Sequence, residues 1–199
     1  AGEKWLLQGH NGSGKSTLLS LVNGDHPQAY ANEIYLFGNK RGTGESIWDI
    51  KKRIGFISPE LHLYFRQNLQ AETVAATGYT DTLFPKGSLT PPQAEVLKNF
   101  FALYEIEHLQ KRSFLQLSAG EQRLVLLIRS LVKNPEMVIW DEPFQGLSTH
   151  LILKSQALLS AYASPTKTVI FVSHYQHEIP DWINKRIYLE QGQMKELVE

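Results

Sequence analysis

Residues 9–16 have the clearest capacity for chemistry, because they read Gly-His-Asn-Gly-Ser-Gly-Lys-Ser and fit the phosphate-binding pattern GxxxxGK(S/T). The glycines allow backbone amides and the positive end of the following helix to face an anion. Lys15 is placed to reach the β and γ phosphates of a nucleotide, and Ser16 to bind the Mg²⁺ that bridges them. A chance glycine-rich turn is the alternative, but an apolar run precedes the loop and a helical pattern follows it. The predicted nucleotide-binding residues are Gly9, His10, Asn11, Gly12, Ser13, Gly14, Lys15, Ser16 and Thr17.

Two adjacent carboxylates, Asp141 and Glu142, end the apolar run that starts at Met137. Nucleotide-hydrolysing proteins place such acids beside the phosphate loop, and the two would do different work. Asp141 would hold Mg²⁺ or its waters, whereas Glu142 could accept a proton from the attacking water or orient it. The alternative is a strand end with surface acids. Because the acids follow a phosphate loop in this order, we predict phosphoryl transfer to water.

The composition narrows the class of protein. A chain of 199 residues is long enough for one large domain, or for a core with a subdomain. It has no cysteine, so neither a disulfide framework nor a thiolate metal site is available. Its 20 basic and 20 acidic residues balance and form no basic run, so nucleic acid is not supported as a partner. No apolar stretch approaches the ~20 residues that span a bilayer, and we expect a cytoplasmic setting.

The elements that must position these residues follow from the periodicity of the sequence. Strands are predicted at 5–8, 33–37, 53–58, 137–140, 168–173 and 186–190. The near-continuous apolar runs at 138–140 and 169–172 are typical of central parallel strands that are covered on both faces. Residues 33–58, rich in glycine between strand patterns, predict a small antiparallel insertion. Between Leu61 and Lys133 helical periodicity replaces the strand patterns, which predicts a helical subdomain.

A third motif, Leu117, Ser118, Ala119, Gly120 and Glu121, resembles the LSGGQ signature of ATP-binding cassette (ABC) ATPases, with alanine at one glycine position. An ordinary helix start is the alternative, with Ser118 as N-cap and Glu121 completing a capping box, and the two interpretations are compatible. In the family, the serine and its helix contact the γ phosphate held by the opposite subunit. The resemblance therefore implies a composite site that a second cassette completes.

His174, which follows the predicted strand at 168–173, matches the family's switch histidine, which reaches the γ phosphate and helps to place the water. A structural histidine at a strand end is the alternative. The resemblance implies that Glu142, His174 and Lys15 are catalytic and that Ser16 and Asp141 hold Mg²⁺ with the nucleotide. The remaining histidines lack a ligand-like spacing such as HExxH, so we expect no metal site built from protein side chains alone.

The resemblance covers the whole chain and implies an α/β fold of the P-loop NTPase type. Its parts would be a RecA-like, mainly parallel sheet core, a small antiparallel β insertion and an α-helical subdomain. We expect one ABC ATPase domain over 1–199, with its core at 1–60 and 134–199 and its helical subdomain at about 61–133. The family carries an adenine-stacking aromatic residue on a strand well before the loop, so we expect the N-terminal strands to be truncated, and base selectivity is inferred from the family alone.

Two positions depart from the family pattern. Pro59 stands where the family has a glutamine that touches Mg²⁺ and couples to the transmembrane partner, and Ser148 stands where it has an aspartate. Ser58 or Glu60 would then take over the metal contact, with Glu60 as the tentative ligand because carboxylates suit Mg²⁺, or the coupling is altered. Residues 58–63, 121–124 and 145–147 resemble one cassette of tandem-cassette proteins assigned to molybdate transport or photorepair.

The expected function is an ATP-binding cassette that hydrolyses ATP as a composite dimer and powers a partner, such as an ABC transporter of the molybdate type. The expected partners are ATP, a second cassette in the same chain or in a homodimer, and a transmembrane permease, which would hold the chain on the inner face of the membrane. A soluble nucleotide switch in repair or regulation is the alternative, favoured by Pro59. A module that holds ATP without turnover is disfavoured by Glu142 and His174.

Overall fold

The computed structural model describes residues 2–27 and 32–198, and its elements alternate between strands and helices. The strands are β1 Lys4–Gly9, β2 Tyr35–Leu36, β3 Asn39–Lys40, β4 Ile54–Ile57, β5 Met137–Asp141, β6 Thr168–Val172, β7 Lys185–Glu190 and β8 Gln193–Val198. The α-helices are α1 Lys15–Asn23, α2 Ile47–Arg53, α3 Ala71–Ala76, α4 Pro91–Leu103, α5 Ala119–Leu131 and α6 Thr149–Tyr162. None of the helices among the described residues is long and apolar enough to cross a membrane.

A six-stranded sheet in the order β4-β5-β6-β1-β7-β8 forms the centre of the fold, and all its neighbours are parallel except β7 and β8. The predicted central strands β5 and β6 pair with Val138 opposite Val169 and Trp140 opposite Phe171, and all four side chains are buried. The carboxyl ends of parallel strands meet at one edge, where ligands bind in such sheets. This edge receives the loop after β1, the acids at the end of β5 and the residues after β6. The expected fold class, an α/β core with a mainly parallel sheet, is confirmed.

The antiparallel insertion is smaller than predicted. It consists of the two-residue strands β2 and β3, whereas the strand predicted at 53–58 is β4, an edge strand of the main sheet that runs parallel to β5. A helix intervenes, because Ser46 and Asp49 form a capping box that starts α2 and redirects the chain. The assignment of 53–58 to the insertion was therefore wrong.

Helix α5 is the most deeply buried helix segment, with every residue from Arg123 to Leu131 buried. It packs against β4 and against the 3₁₀ turn Thr77–Tyr79, and both contacts are made at glycines. A Cβ atom on Gly55 would lie 2.1 Å from the Ser130 carbonyl oxygen, and one on Gly78 would lie 2.1 Å from the Arg129 carbonyl oxygen. Only glycine permits this approach of backbone to backbone.

A buried charge cluster joins α5 to the turn that follows α3. The Arg129 guanidinium donates to Asp81 Oδ1 at 2.9 Å and to Thr77 Oγ1 at 3.0 Å. Lys133 Nζ lies 3.6 Å from Asp81 Oδ2 and donates to the Lys51 carbonyl at 2.6 Å. Burial lowers the pKa of Lys133 to about 8, although the Asp81 carboxylate opposes this shift. The cluster thereby links α2, α5 and the turn at 77–82.

The tryptophan side chains differ in environment. Trp140, in the middle of the sheet, is fully buried, packs edge-on against Phe144 and donates from Nε1 to Ser130 Oγ at 3.0 Å. Trp48 on α2 is 48% exposed, with Lys86 Nζ 5.5 Å from its ring centroid. Trp140 thus fixes β5 against α5, while Trp48 faces outward.

Candidate nucleotide site

The loop from Gly9 to Gly14 has the backbone that a phosphate cradle requires. Gly9, Gly12 and Gly14 have φ values of 150°, 76° and 103°, which L-residues rarely adopt. The Ser13 amide donates to the His10 carbonyl at 3.0 Å, and Gly14 in the left-handed region starts helix α1 at Lys15. The loop therefore turns directly into the positive end of α1, where anions bind.

The predicted loop residues differ in accessibility. Gly9 and Ser13 are buried, Gly14 and Lys15 are half-buried, and His10, Asn11, Gly12, Ser16 and Thr17 are exposed. Lys15 Nζ donates to the carbonyl oxygens of Gly9 and His10 at 2.5 and 3.1 Å, which holds it over the loop. Its charge also favours the ionised forms of Asp141 and Glu142, which places these acids on the lysine's side of the site.

The turn between β7 and β8 packs against the back of the loop. The Gly192 amide donates to the Ser13 carbonyl at 2.8 Å, and a Cβ atom on Gly14 would lie 3.3 Å from the Gly192 Cα atom. His10 packs edge-on against Tyr188 of β7, with ring centroids 6.1 Å apart. The turn thus supports the phosphate loop, and β8, which follows the turn, was not predicted from the sequence.

Asp141 and Glu142 lie where β5 ends, beside the loop. Burial, together with the charges of Glu142 and Glu60, raises the pKa of Asp141 to about 6, although the charges of Lys15 and Arg123 oppose this shift. Burial also raises the pKa of Glu142, while His174 lowers it. Glu142 adopts a left-handed φ of 49°, and its amide donates to the Val172 carbonyl at 3.0 Å. A left-handed backbone is strained for a residue with a side chain, and such strain is common at functional sites.

His174, the predicted switch histidine, lies next to Glu142. Its Nε2 atom is 3.4 Å from Glu142 Oε1, and its side chain is 49% exposed. Hydrogen bonds on both sides of His174 fix the loop that carries it. Ser173 Oγ donates to the buried Glu178 carboxylate and accepts from the Tyr175 amide at 3.0 Å. Glu178, which the sequence analysis missed, thus orients the histidine loop and adds negative charge near Glu142.

The residues predicted to hold Mg²⁺ line one cavity of about 800 Å³. Ser16, Asp141 and the tentative Glu60 contribute oxygens, and Ser58 lies beside them. A buried carboxylate with two acidic neighbours has an excess of negative charge that a divalent cation would offset, so the residues fit Mg²⁺. Within 2–27 and 32–198, no group of three His, Asp or Glu side chains could hold a metal ion.

The signature residues form a capped and accessible helix start. Ser118 Oγ accepts from the Glu121 amide at 3.3 Å, and the Ser118 amide donates to Glu121 Oε2 at 2.7 Å, which confirms the predicted capping box. Leu117 is buried, Ser118 and Ala119 are exposed, and Gly120 and Glu121 are half-buried. In the described part of the chain, no hydrogen bond or ion pair joins these residues to the phosphate loop, so the structure does not bring them into the same site.

Arg123, one turn into α5, is a further residue of the site that the sequence analysis missed. Its guanidinium is buried and donates to the Ser58 carbonyl at 3.0 Å, and to Gln145 Oε1 at 3.4 Å. No local pattern could have identified it, because it lies 65 positions from Ser58 along the chain.

Comparisons with known proteins agree with this architecture. Residues 1–145 match the family model described as ABC transporter. The chain is 41% identical over 191 residues to the ABC transporter ATP-binding protein ModF of Escherichia coli, covering 94% of this chain and 38% of that protein. It is 37% identical over 196 residues to an uncharacterized ABC transporter ATP-binding protein of Schizosaccharomyces pombe, covering 97% of this chain and 40% of that protein. The chain therefore spans about two-fifths of the length of these relatives.

Solved structures share the fold. The dimeric structure of MJ0796, a bacterial ABC transporter cassette, superimposes with a TM-score of 0.80 at 24% identity, covering 100% of this chain and 85% of that one. A post-hydrolysis dimer of the same cassette, bound to ADP and Pi, gives a TM-score of 0.77 at 23% identity with the same coverage. The phosphate loop, the parallel sheet and the family match all lead to one conclusion. The chain belongs to the ABC transporter family and is one of its ATP-binding cassettes.

Proposed function

We propose that this cassette binds Mg²⁺-ATP and hydrolyses it. The observation that carries the proposal is the contact between His174 and Glu142 directly after Asp141, at the sheet edge that also receives the phosphate loop. Lys15 and the amides of the loop would bind the phosphates. Ser16 and Asp141 would hold Mg²⁺, which supplies charge neutralisation at the bridged phosphates.

Glu142 is the proposed base and His174 the group that orients it. A carboxylate with a raised pKa is a better proton acceptor than an ordinary surface glutamate. The His174 imidazole, 3.4 Å away, restricts the movement of the Glu142 carboxylate. The hydrogen bond between Ser173 and Glu178 restricts the loop that carries His174. The attacking water would lose its proton to Glu142 as its oxygen bonds to the γ phosphorus and the bond to the β-phosphate oxygen breaks.

The proposed active form is a pair of cassettes, each completing the other's site. Ser118 and Ala119 are exposed at the start of α5 and make no described contact with the phosphate loop of their own chain. An exposed helix start suits the γ phosphate of a second cassette, because its positive end attracts anions. The second cassette would be another copy of this chain or a segment of a longer protein.

We propose that the output of hydrolysis is mechanical work on a membrane permease. The cavity that begins at Ser16 and Asp141 opens between the aromatic side chains of Trp48, Tyr64 and Phe84, which are 48%, 59% and 52% exposed. Exposed aromatic residues around a groove are typical of protein contacts. ModF and the other relatives named above are ABC transporter ATP-binding proteins, which supports a transporter and a position on the cytoplasmic face of a membrane. The alternative, a soluble nucleotide switch, has Pro59 in its favour, because proline has no side-chain group to sense the metal.

The test is Glu142→Gln, which keeps the shape of the side chain and removes its basicity. We expect phosphate release to fall by roughly 10² to 10⁴ while ATP binding persists. On size-exclusion chromatography the variant should shift to a dimer in Mg²⁺-ATP and return to a monomer without nucleotide. Lys15→Ala serves as the matched control that should not bind ATP.

Two results would contradict the proposal. Wild-type turnover in Glu142→Gln would exclude this residue as the base. A persistent monomer in Mg²⁺-ATP would exclude the self-paired form and leave a different cassette as the partner to be tested.

A further inference from the structure

Arg123 connects two segments that flank the nucleotide site. Through one nitrogen it holds the Ser58 carbonyl in the turn after β4, and through the other it holds the Gln145 side chain in the loop after Glu142. The residue is only 6% exposed, although it carries a charge. A buried guanidinium without hydrogen bonds would be costly, so these two contacts keep it in one position.

A second contact ties the same helix to the same loop. A Cβ atom on Gly120 would lie 2.9 Å from the Gly146 carbonyl oxygen, so the start of α5 packs directly on the backbone of residues 143–148. A shift of α5 therefore displaces this loop both at Gly146 and, through Arg123, at Gln145. The turn at Ser58 would move with them.

The charge of Arg123 faces the acids of the site. The carboxylates of Asp141, Glu142 and Glu60 all stabilise its charged form against the cost of burial. Its hydrogen bonds, however, go to the Ser58 carbonyl and the Gln145 carboxamide, so the two nitrogens hold the turn and the loop. The positive charge acts on the carboxylates at longer range. The charge of Lys15 also acts on Asp141 and Glu142, because it favours their ionised forms.

We propose that Arg123 is a positioning residue that fixes the Ser58–Glu60 turn and the 143–148 loop relative to Asp141 and Glu142, so that the two segments respond together to movement of α5. This inference rests on the proposed function for its effect on turnover, but the mechanical linkage is a property of the chain alone. Arg123 touches neither phosphate nor water and acts through the segments that it holds.

The experiment compares Arg123→Gln, Arg123→Lys and the matched control Arg186→Gln, which alters an exposed arginine on β7, away from both segments. Hydrogen exchange is followed at the amides of Leu61 and Leu147, which donate to the Ser58 and Phe144 carbonyls within the two segments. We expect exchange at both amides to accelerate about tenfold in Arg123→Gln, while the amides in the middle of α5 keep their protection. Arg123→Lys should restore part of the protection, because it retains the charge but not the two-pronged contact.

Turnover provides a second measurement. We expect kcat for ATP to fall about tenfold in Arg123→Gln with KM changed less than about twofold, because the acids are misplaced while the phosphate loop is intact. If Arg123→Gln fails to fold, Gln145→Ala removes the exposed end of the same contact and should accelerate exchange at Leu147.

Wild-type exchange at Leu61 and Leu147 in the folded variants would overturn the inference, and so would an equal acceleration at every amide of α5. A wild-type chain that releases no phosphate would instead contradict the proposed function, and the exchange measurement, which needs no turnover, would still decide the linkage.

Discussion

Single residues of the phosphate loop differ in what they tolerate, and Gly9 tolerates least. A Cβ atom there would lie 2.4 Å from the Leu189 carbonyl oxygen and 2.5 Å from Ser13 Oγ, whereas one on Gly12 would meet nothing within 4 Å. We expect Gly9→Ala to lower the free energy of unfolding by about 3 kcal/mol through these clashes, and Gly12→Ala by only about 1 kcal/mol through its positive φ. Urea unfolding of both variants without nucleotide checks the order, and equal losses would contradict it.

Residue types and spacing were enough to predict the local parts of the candidate site. Lys15 and Ser16 belong to one contiguous motif, and Asp141 and Glu142 end one apolar strand, so each pair is visible in a short window. Arg123 and Glu178 were not predictable in this way. Their roles arise from hydrogen bonds to Ser58 and Ser173. The sequence does not distinguish a charged residue that is buried from one that is exposed, because burial depends on the fold.

At the scale of elements, helix α5 depends on glycine wherever a neighbour touches its backbone. Gly55→Ala would bring a methyl group to 2.1 Å from the Ser130 carbonyl oxygen and force α5 away from β4. We expect a loss of about 3 kcal/mol in the free energy of unfolding by urea denaturation. Ser160→Ala, on the exposed face of α6, is the control and should change stability by less than about 0.5 kcal/mol. Wild-type stability in Gly55→Ala would show that α5 can move freely.

The buried cluster around Lys133 predicts a pH dependence of stability. Because burial lowers the pKa of Lys133 from 10.5 to about 8, the unfolded chain binds more protons than the folded chain between these values. The free energy of unfolding should therefore rise with pH from about 8 towards 10.5, and this contribution is lost as pH falls through 8. Relative to Lys133→Met, we expect the wild type to gain on the order of 2 kcal/mol between pH 7.5 and 9.5 in urea denaturation. Parallel stability curves for the two proteins would refute this assignment.

The elements with strong periodicity were predicted well, and the errors have physical causes. β5 and β6 are apolar throughout, and α4 and α5 keep their helical spacing, so their positions followed from the sequence. β4 was assigned to the wrong sheet because strand pairing depends on distant partners. β8 was missed because half of its residues are polar and its hairpin turns at Gln191-Gly192, both with positive φ, rather than at a typical Asn-Gly pair.

At the scale of the whole molecule, the proposed pairing of cassettes predicts complementation between inactive variants. Lys15→Ala disables the phosphate loop and Ser118→Arg disables the signature, so a mixed pair keeps one site made of two intact halves. We expect ATP hydrolysis by the mixture to exceed the sum of the separate variants several-fold. A mixture of Lys15→Ala with Glu142→Gln is the control, because both changes damage the same half and leave no intact site. Equal activity of the two mixtures would contradict composite sites.

The buried Trp140 and the exposed Trp48 differ enough in environment for tryptophan fluorescence to tell them apart. Trp140 adjoins Asp141 and is enclosed by Phe144 and α5, so its fluorescence should lie at short wavelength and resist quenching by acrylamide. Trp48 stands on the outer wall of the cavity and is open to the quencher. The half-buried Trp5 and Trp182 also emit, so both are replaced by phenylalanine in this experiment. A molecule that covers Trp48, Tyr64 and Phe84 would then protect Trp48 from the quencher, whereas a change at Asp141 and Glu142 would alter the emission of Trp140.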